Sequence, residues 1–280
     1  MINGQQTTRV LHEATDSDAS VLIRVIHVPR SAQNKADDFD NLVSRIVAAT
    51  NSQNYIKPSD LMSNDRRQID IERSLRRLDY QYLRKRETTG EARRRAVSKH
   101  RFLIRKEELA RASAACSLDP VVVREGTEHL FEEERYPVVF PNSDPDYYLP
   151  RYWLMHEIRY AARGYPERAY ATWLVLHFMW NALGPVLRSR SRRERFRVDC
   201  EHDNQSLVPL QAAIGRVFQG ALAYFRANRG TGARAADVST FFKRAGLHKA
   251  FATYWAASPK SQLAFERHVS RFEQALTSEG

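Results

Sequence analysis

Residues 169–187 read AYATWLVLHFMWNALGPVL, and how this stretch is read decides the fold class. It is just long enough to cross a bilayer. It also carries His177, Asn181, Gly184 and Pro185, and strongly charged sequence flanks it on both sides. We read it as a buried core helix, part of the helical stretch Pro166 to Arg188. Its partner is Tyr147 to Arg163, and Gly164 separates the two. Further helical patterns follow on both sides: Lys106 to Ala115, Thr127 to Glu134 (ended by Pro137), Leu207 to Arg226, Ser239 to Ala245 and Ser261 to Leu276. Upstream, Ser20 to Pro29 (SVLIRVIHVP) has apolar residues on both faces, as an inner strand does. Asp37 to Ala49 reads as an amphipathic helix. A helix after Pro58 is capped by Asn64 or Asp65, with Gln68 at the capping-box position. Its apolar residues Ile69, Ile71 and Leu75 carry it to about Leu78. The expected fold is α+β and predominantly α-helical, a small α/β piece followed by a helical domain.

Composition narrows the function classes. The 280 residues are 42% hydrophobic, enough for a packed core. Lys and Arg number 44 against 33 Asp and Glu, a net charge of +11 that favours an anionic partner. Cys116 and Cys200 lie too far apart in sequence for a disulfide framework, and a reducing cytoplasm is the simplest context. The first residues lack a secretory signal, and no membrane association is expected. Residues 84–106 hold ten Lys or Arg and two Glu. With Gly90 among them, they read as a hairpin or mobile segment and as the boundary between domains 1–100 and 101–280.

Three amide-rich clusters recur within the first 70 residues. The first is Asn3-Gly4-Gln5-Gln6-Thr7-Thr8, where glycine lets backbone approach a ligand and the neighbours offer only amides and hydroxyls. The second is Thr50-Asn51-Ser52-Gln53-Asn54. The third runs from Asp60 through Asn64 and Asp65 to Gln68. Turns and caps account for each singly, and a polar or anionic ligand would account for all three together. Two basic runs are candidate nucleic-acid contacts. One comprises Arg84, Lys85, Arg86, Arg93, Arg94 and Arg95, with Tyr80, Tyr82, His100 and Phe102 interleaved as possible stacking surfaces. The other comprises Arg188, Arg190, Arg192 and Arg193, continuing to Arg195 and Arg197. No cofactor motif, zinc spacing or complete catalytic motif is read, and the catalytic residues are left unassigned.

The order and spacing of the clusters resemble the AIPR family, the abortive-infection phage-resistance proteins of bacteria. The matching residues are Asn3, Gly4, Gln6 and Thr7; then Thr50, Asn51, Gln53 and Asn54; then Asp60, Leu61, Asn64, Asp65 and Gln68; then Tyr82 with Arg84, Lys85 and Arg86. The likeness continues to about Pro141 through Glu107-Glu108-Leu109-Ala110, Asp119-Pro120 and Leu130-Phe131. Arg66 stands where the family tends to have proline. Family members are usually much longer ahead of the first motif, so the chain resembles their C-terminal portion. The resemblance implies antiviral defence, a truncated or split member, and binding of nucleic acid or a nucleotide phosphate. It leaves open a nuclease or nucleotide hydrolase whose site a separate N-terminal chain completes. The Asn-Gly-x-Gln-Thr element is also loosely similar to the DGQHR and ParB-like proteins, which points to a phosphate-bearing ligand.

Overall fold

A computed structural model describes residues 57–85, 90, 94, 102–232 and 236–277. The chain divides into two compact units, Met1–Lys57 and Pro58–Gly280. The expected strand at residues 20–29 and helix at 37–49 lie outside the described residues.

The second unit opens with a short helix α1 (Pro58–Leu61) and a single 3₁₀ turn, Met62–Asn64. Helix α2 (Arg66–Arg76) follows, and Asp65 caps it by accepting a hydrogen bond from the Arg67 backbone N–H at 2.9 Å. Gln68, Ile71 and Leu75 are buried at three- and four-residue spacing, as a one-sided helix requires. Strand β1 (Tyr80–Leu83) is buried along its whole length. It pairs in parallel with β2 (Phe102–Arg105), Tyr80 opposite Phe102 and Leu83 opposite Arg105. Parallel strands need a crossover and cannot be joined by a tight turn, so β1 and β2 are not the two arms of a hairpin. The two strands lie on either side of residue 100, and the compact units divide at Lys57 and Pro58.

The rest is helical, and the fold is α+β with helix predominating. Helix α3 (Lys106–Ser117) leaves β2 directly. Two short helices follow, α4 (Val122–Glu125) and α5 (Tyr136–Val139), with a 3₁₀ turn at Glu128–Phe131 between them. Pro137 sits in the first turn of α5, so it begins a helix where an ending was expected; its missing N–H costs nothing there. The hairpin α6 (Pro145–Ala162) and α7 (Pro166–Leu183) turns at Gly164, φ 77°. Next come α8 (Arg190–His202), α9 (Val208–Asn228), α10 (Val238–Phe241), α11 (Leu247–Ala256) and α12 (Pro259–Thr277). Helices α3, α6, α7, α9 and α12 share the main core. Among the described residues no helix is long and apolar enough to cross a membrane, so α7 is a core helix.

Two histidines sit inside this packing. His156 lies against the rings of Tyr152 and Trp153, and its Nε2 has no hydrogen-bond partner. His177, beside His248, places Nδ1 3.0 Å from the Ala115 carbonyl. Burial holds both imidazoles below their ordinary pKa of 6.5. The unfolded chain therefore takes up protons first as pH falls through 6.5, and the stability present above that pH is lost progressively below it. Denaturant unfolding followed from pH 7 to pH 5 is expected to show this decline (about one protonation step per histidine). A His156→Phe/His177→Gln variant is expected to flatten it, and an undiminished slope in that variant contradicts the assignment.

Candidate ligand and nucleic-acid surfaces

The third amide-rich cluster is built around a buried polar network. Gln68 is fully enclosed on α2. Its Nε2 donates to the Tyr136 hydroxyl at 3.2 Å, and its Oε1 accepts from the Tyr82 hydroxyl at 2.6 Å. Tyr136 in turn donates to Asp65 at 2.8 Å. Gln68 therefore does not close a capping box; its amide ties α2 to β1 and α5. Asn64 is exposed and accepts from Arg84 at 3.1 Å, while Arg84 also binds Glu72 at 2.8 Å and the Ser63 carbonyl at 2.6 Å. Below this, Lys106 is buried; its Nζ donates to the Ser59 carbonyl and to Ser63 Oγ at 2.6 Å. Four side chains, Tyr82, Arg84, Lys106 and Tyr136, thus converge on one short stretch, residues 59–68.

The remaining amide candidates, Asn3, Gly4, Gln5, Gln6, Thr7, Thr8, Thr50, Asn51, Gln53 and Asn54, lie outside the described residues, as do Arg86, Arg93 and Arg95. Lys85 and Arg94 are exposed. Tyr80 and Tyr82, read as possible stacking surfaces, are buried instead. Tyr80 stacks on Phe102, with ring centroids 5.2 Å apart. It accepts from Trp153 Nε1 at 2.8 Å and donates to Glu201.

The second basic run forms α8 and the turn before it. Arg188 is exposed. Arg190 and Arg193 both approach Asp146 at 3.5 Å, Arg192 meets Glu273 at 2.6 Å, Arg195 meets the fully buried Asp199 at 3.1 Å, and Arg197 pairs with Glu201. Arg193 also donates to the carbonyls of Leu187 and Arg188. Within the run the sequence shows one carboxylate, Glu194, but the fold supplies Asp146 from α6 and Glu273 from α12.

The solvent face of α2 differs. Arg66, Arg67, Arg73, Arg76 and Arg77 are exposed. Asp70 is shared between Arg66 at 3.8 Å and Arg73 at 3.3 Å, and Glu72 between Arg76 at 3.1 Å and Arg84 at 2.8 Å. The pairs made by the exposed Arg66, Arg73 and Arg76 hold their cations weakly, and two carboxylates cannot balance this many guanidinium groups. The sequence reading missed another cationic region at the α6–α7 turn, where arginines lie over tyrosines: Arg163 over Tyr160 and Arg168 over Tyr165. The signal was present in the alternation RYAARGYPERAY, residues 159–170.

Burial raises the Cys116 thiol to about 12 and Cys200 well above its ordinary range, so neither is a thiolate nucleophile at neutral pH. Among the described residues no group of three or more His, Cys, Asp or Glu is placed to hold a metal ion.

These features define a helical α+β protein with a tyrosine-anchored amide motif and a cationic surface. A family model described as AIPR protein matches residues 1–173, from the first amide-rich cluster into α7. The chain belongs to the AIPR family, whose name denotes abortive infection and phage resistance. No curated protein and no solved structure matches it.

Proposed function

We propose that this AIPR-family chain acts in bacterial phage defence by abortive infection, and that it does so in the cytoplasm by engaging nucleic acid or a nucleotide phosphate. The observation that carries the nucleic-acid reading is the solvent face of α2, where exposed arginines outnumber the carboxylates that face them. This helix emerges directly from the third amide-rich cluster, so its cations stand beside the family's own motif. Such a face binds phosphates by releasing counterions, with little regard to sequence. In this reading the side chains of residues 3–8 and 50–54 hold a phosphate, and Gln6→Ala or Asn51→Ala weakens phosphate-ligand binding without unfolding the chain. Unchanged affinity in both variants removes that part of the proposal.

Fluorescence anisotropy with a labelled oligonucleotide tests the cationic face. Binding is expected to weaken steeply with salt, and replacing Arg73, Arg76 and Arg77 by Gln is expected to make the log–log salt slope shallower by about two, since each phosphate contact contributes about 0.7–0.9. A flat salt response of the unaltered protein contradicts the proposal.

A further inference from the structure

We propose that the α6–α7 turn is a ledge that binds unpaired bases of single-stranded nucleic acid, a deepening that rests on the nucleic-acid reading above. Three tyrosines stand out on this turn: Tyr160 is 58% exposed, Tyr165 56% and Tyr170 36%. Together they give the turn and the start of α7 three exposed aromatic rings. Each has a guanidinium on its ring: Arg163 lies 5.2 Å from the Tyr160 centroid, Arg168 4.0 Å from Tyr165, and Arg124 5.5 Å from Tyr170.

The charge on the ledge is available. Among the described residues Arg124, Arg163 and Arg168 have no carboxylate within ion-pair distance; Arg124 and Arg168 donate instead to the carbonyls of Tyr170 and Ala161. The carboxylate on the turn, Glu167, is engaged by Arg226 at 3.3 Å. Beyond Tyr170 a shallow cleft continues the surface, lined by Arg124, Trp173, Phe242 and Arg244. Asp119 also lines it, but its carboxylate is occupied by the Gly246 and Val121 backbone N–H groups at 2.8 and 3.1 Å.

Exposed rings interleaved with unneutralised arginines are what a single strand requires. Its bases present π faces to the rings, and its phosphates meet the guanidinium groups. A duplex offers the same phosphates but keeps its bases stacked on one another, so it gains nothing from the rings. An apolar or acidic protein partner would use either the rings or the charge, whereas this surface combines both at each step.

The test uses labelled oligothymidylate, oligouridylate and a duplex of the same length, measured by anisotropy on the full chain. Tyr160→Ala/Tyr165→Ala is expected to weaken single-strand binding tenfold or more, with duplex binding changed less than twofold. Loss on the ribo-oligomer, the deoxyribo-oligomer or both supports the ledge and assigns the sugar it accepts. Tyr160→Phe/Tyr165→Phe is expected to retain affinity, because the ring and not the hydroxyl stacks. Should the alanine pair fail to fold, Arg163→Gln/Arg244→Gln replaces it, with the single-strand salt slope expected to fall by about 1.5. Single-strand binding indifferent to these variants overturns the ledge and leaves the nucleic-acid reading standing. Absence of binding to all three probes overturns both.

Discussion

Gly220→Ala is expected to destabilise the fold by about 2 kcal/mol or more, in the middle of a helix where alanine is intrinsically favoured by about 1 kcal/mol. A Cβ built at Gly220 of α9 would lie 2.3 Å from Cζ3 and 2.7 Å from Cε3 of Trp255 on α11. The indole cannot step aside, because Phe178, Phe251 and Phe265 surround it with centroids 5.3, 5.8 and 5.7 Å away. Overpacking a site so enclosed forces rotamer and backbone shifts. The same helix supplies the control. A Cβ at Gly215 meets nothing within 4 Å, so Gly215→Ala is expected to stabilise the protein by up to about 1 kcal/mol. Denaturant midpoints moving in opposite directions for the two variants bear out the α9–α11 packing; a neutral or stabilising Gly220→Ala contradicts it.

The second large effect is at Gln68. Gln68→Leu conserves bulk but removes the acceptor of the Tyr82 hydroxyl and a donor to Tyr136. Tyr82 is buried, so its O–H would be left without a partner in a site that water does not reach, at a cost of about 2–3 kcal/mol. Tyr136 keeps Asp65 and suffers less. The double variant Gln68→Leu/Tyr82→Phe is expected to recover part of the loss, because removing both partners leaves no unmet hydrogen bond. Additive losses in that cycle would show that the Gln68–Tyr82 bond does not hold α2 to β1.

How far the sequence revealed this architecture depends on where each signal was stored. Helices α3, α6, α7, α9 and α12 were legible because their apolar residues repeat along one stretch of chain. Helix α8 was not: its arginines dominate the local pattern, and it is held by Asp146 and Glu273 from other helices, which no local reading sees. Strand β1 is four residues long and buried on all of them, so it shows no alternation. Helix α11 was legible in principle, with Leu247, Phe251 and Trp255 four residues apart. In the candidate site, the cap at Asp65 was readable from spacing, but the partners of Gln68 were not. They are Tyr82 across a turn and Tyr136 from a distant helix. Counting arginines likewise located charge without showing which charges the fold neutralises.

That distinction is the centre of the account, and paired salt titrations of oligonucleotide binding test it most directly. One variant removes Arg192 and Arg193, which Glu273 and Asp146 already engage; the other removes Arg163 and Arg244. The account predicts a salt slope close to that of the unaltered protein for the first and a slope shallower by about 1.5 for the second. The reverse order, with the α8 pair carrying the salt dependence, would contradict it.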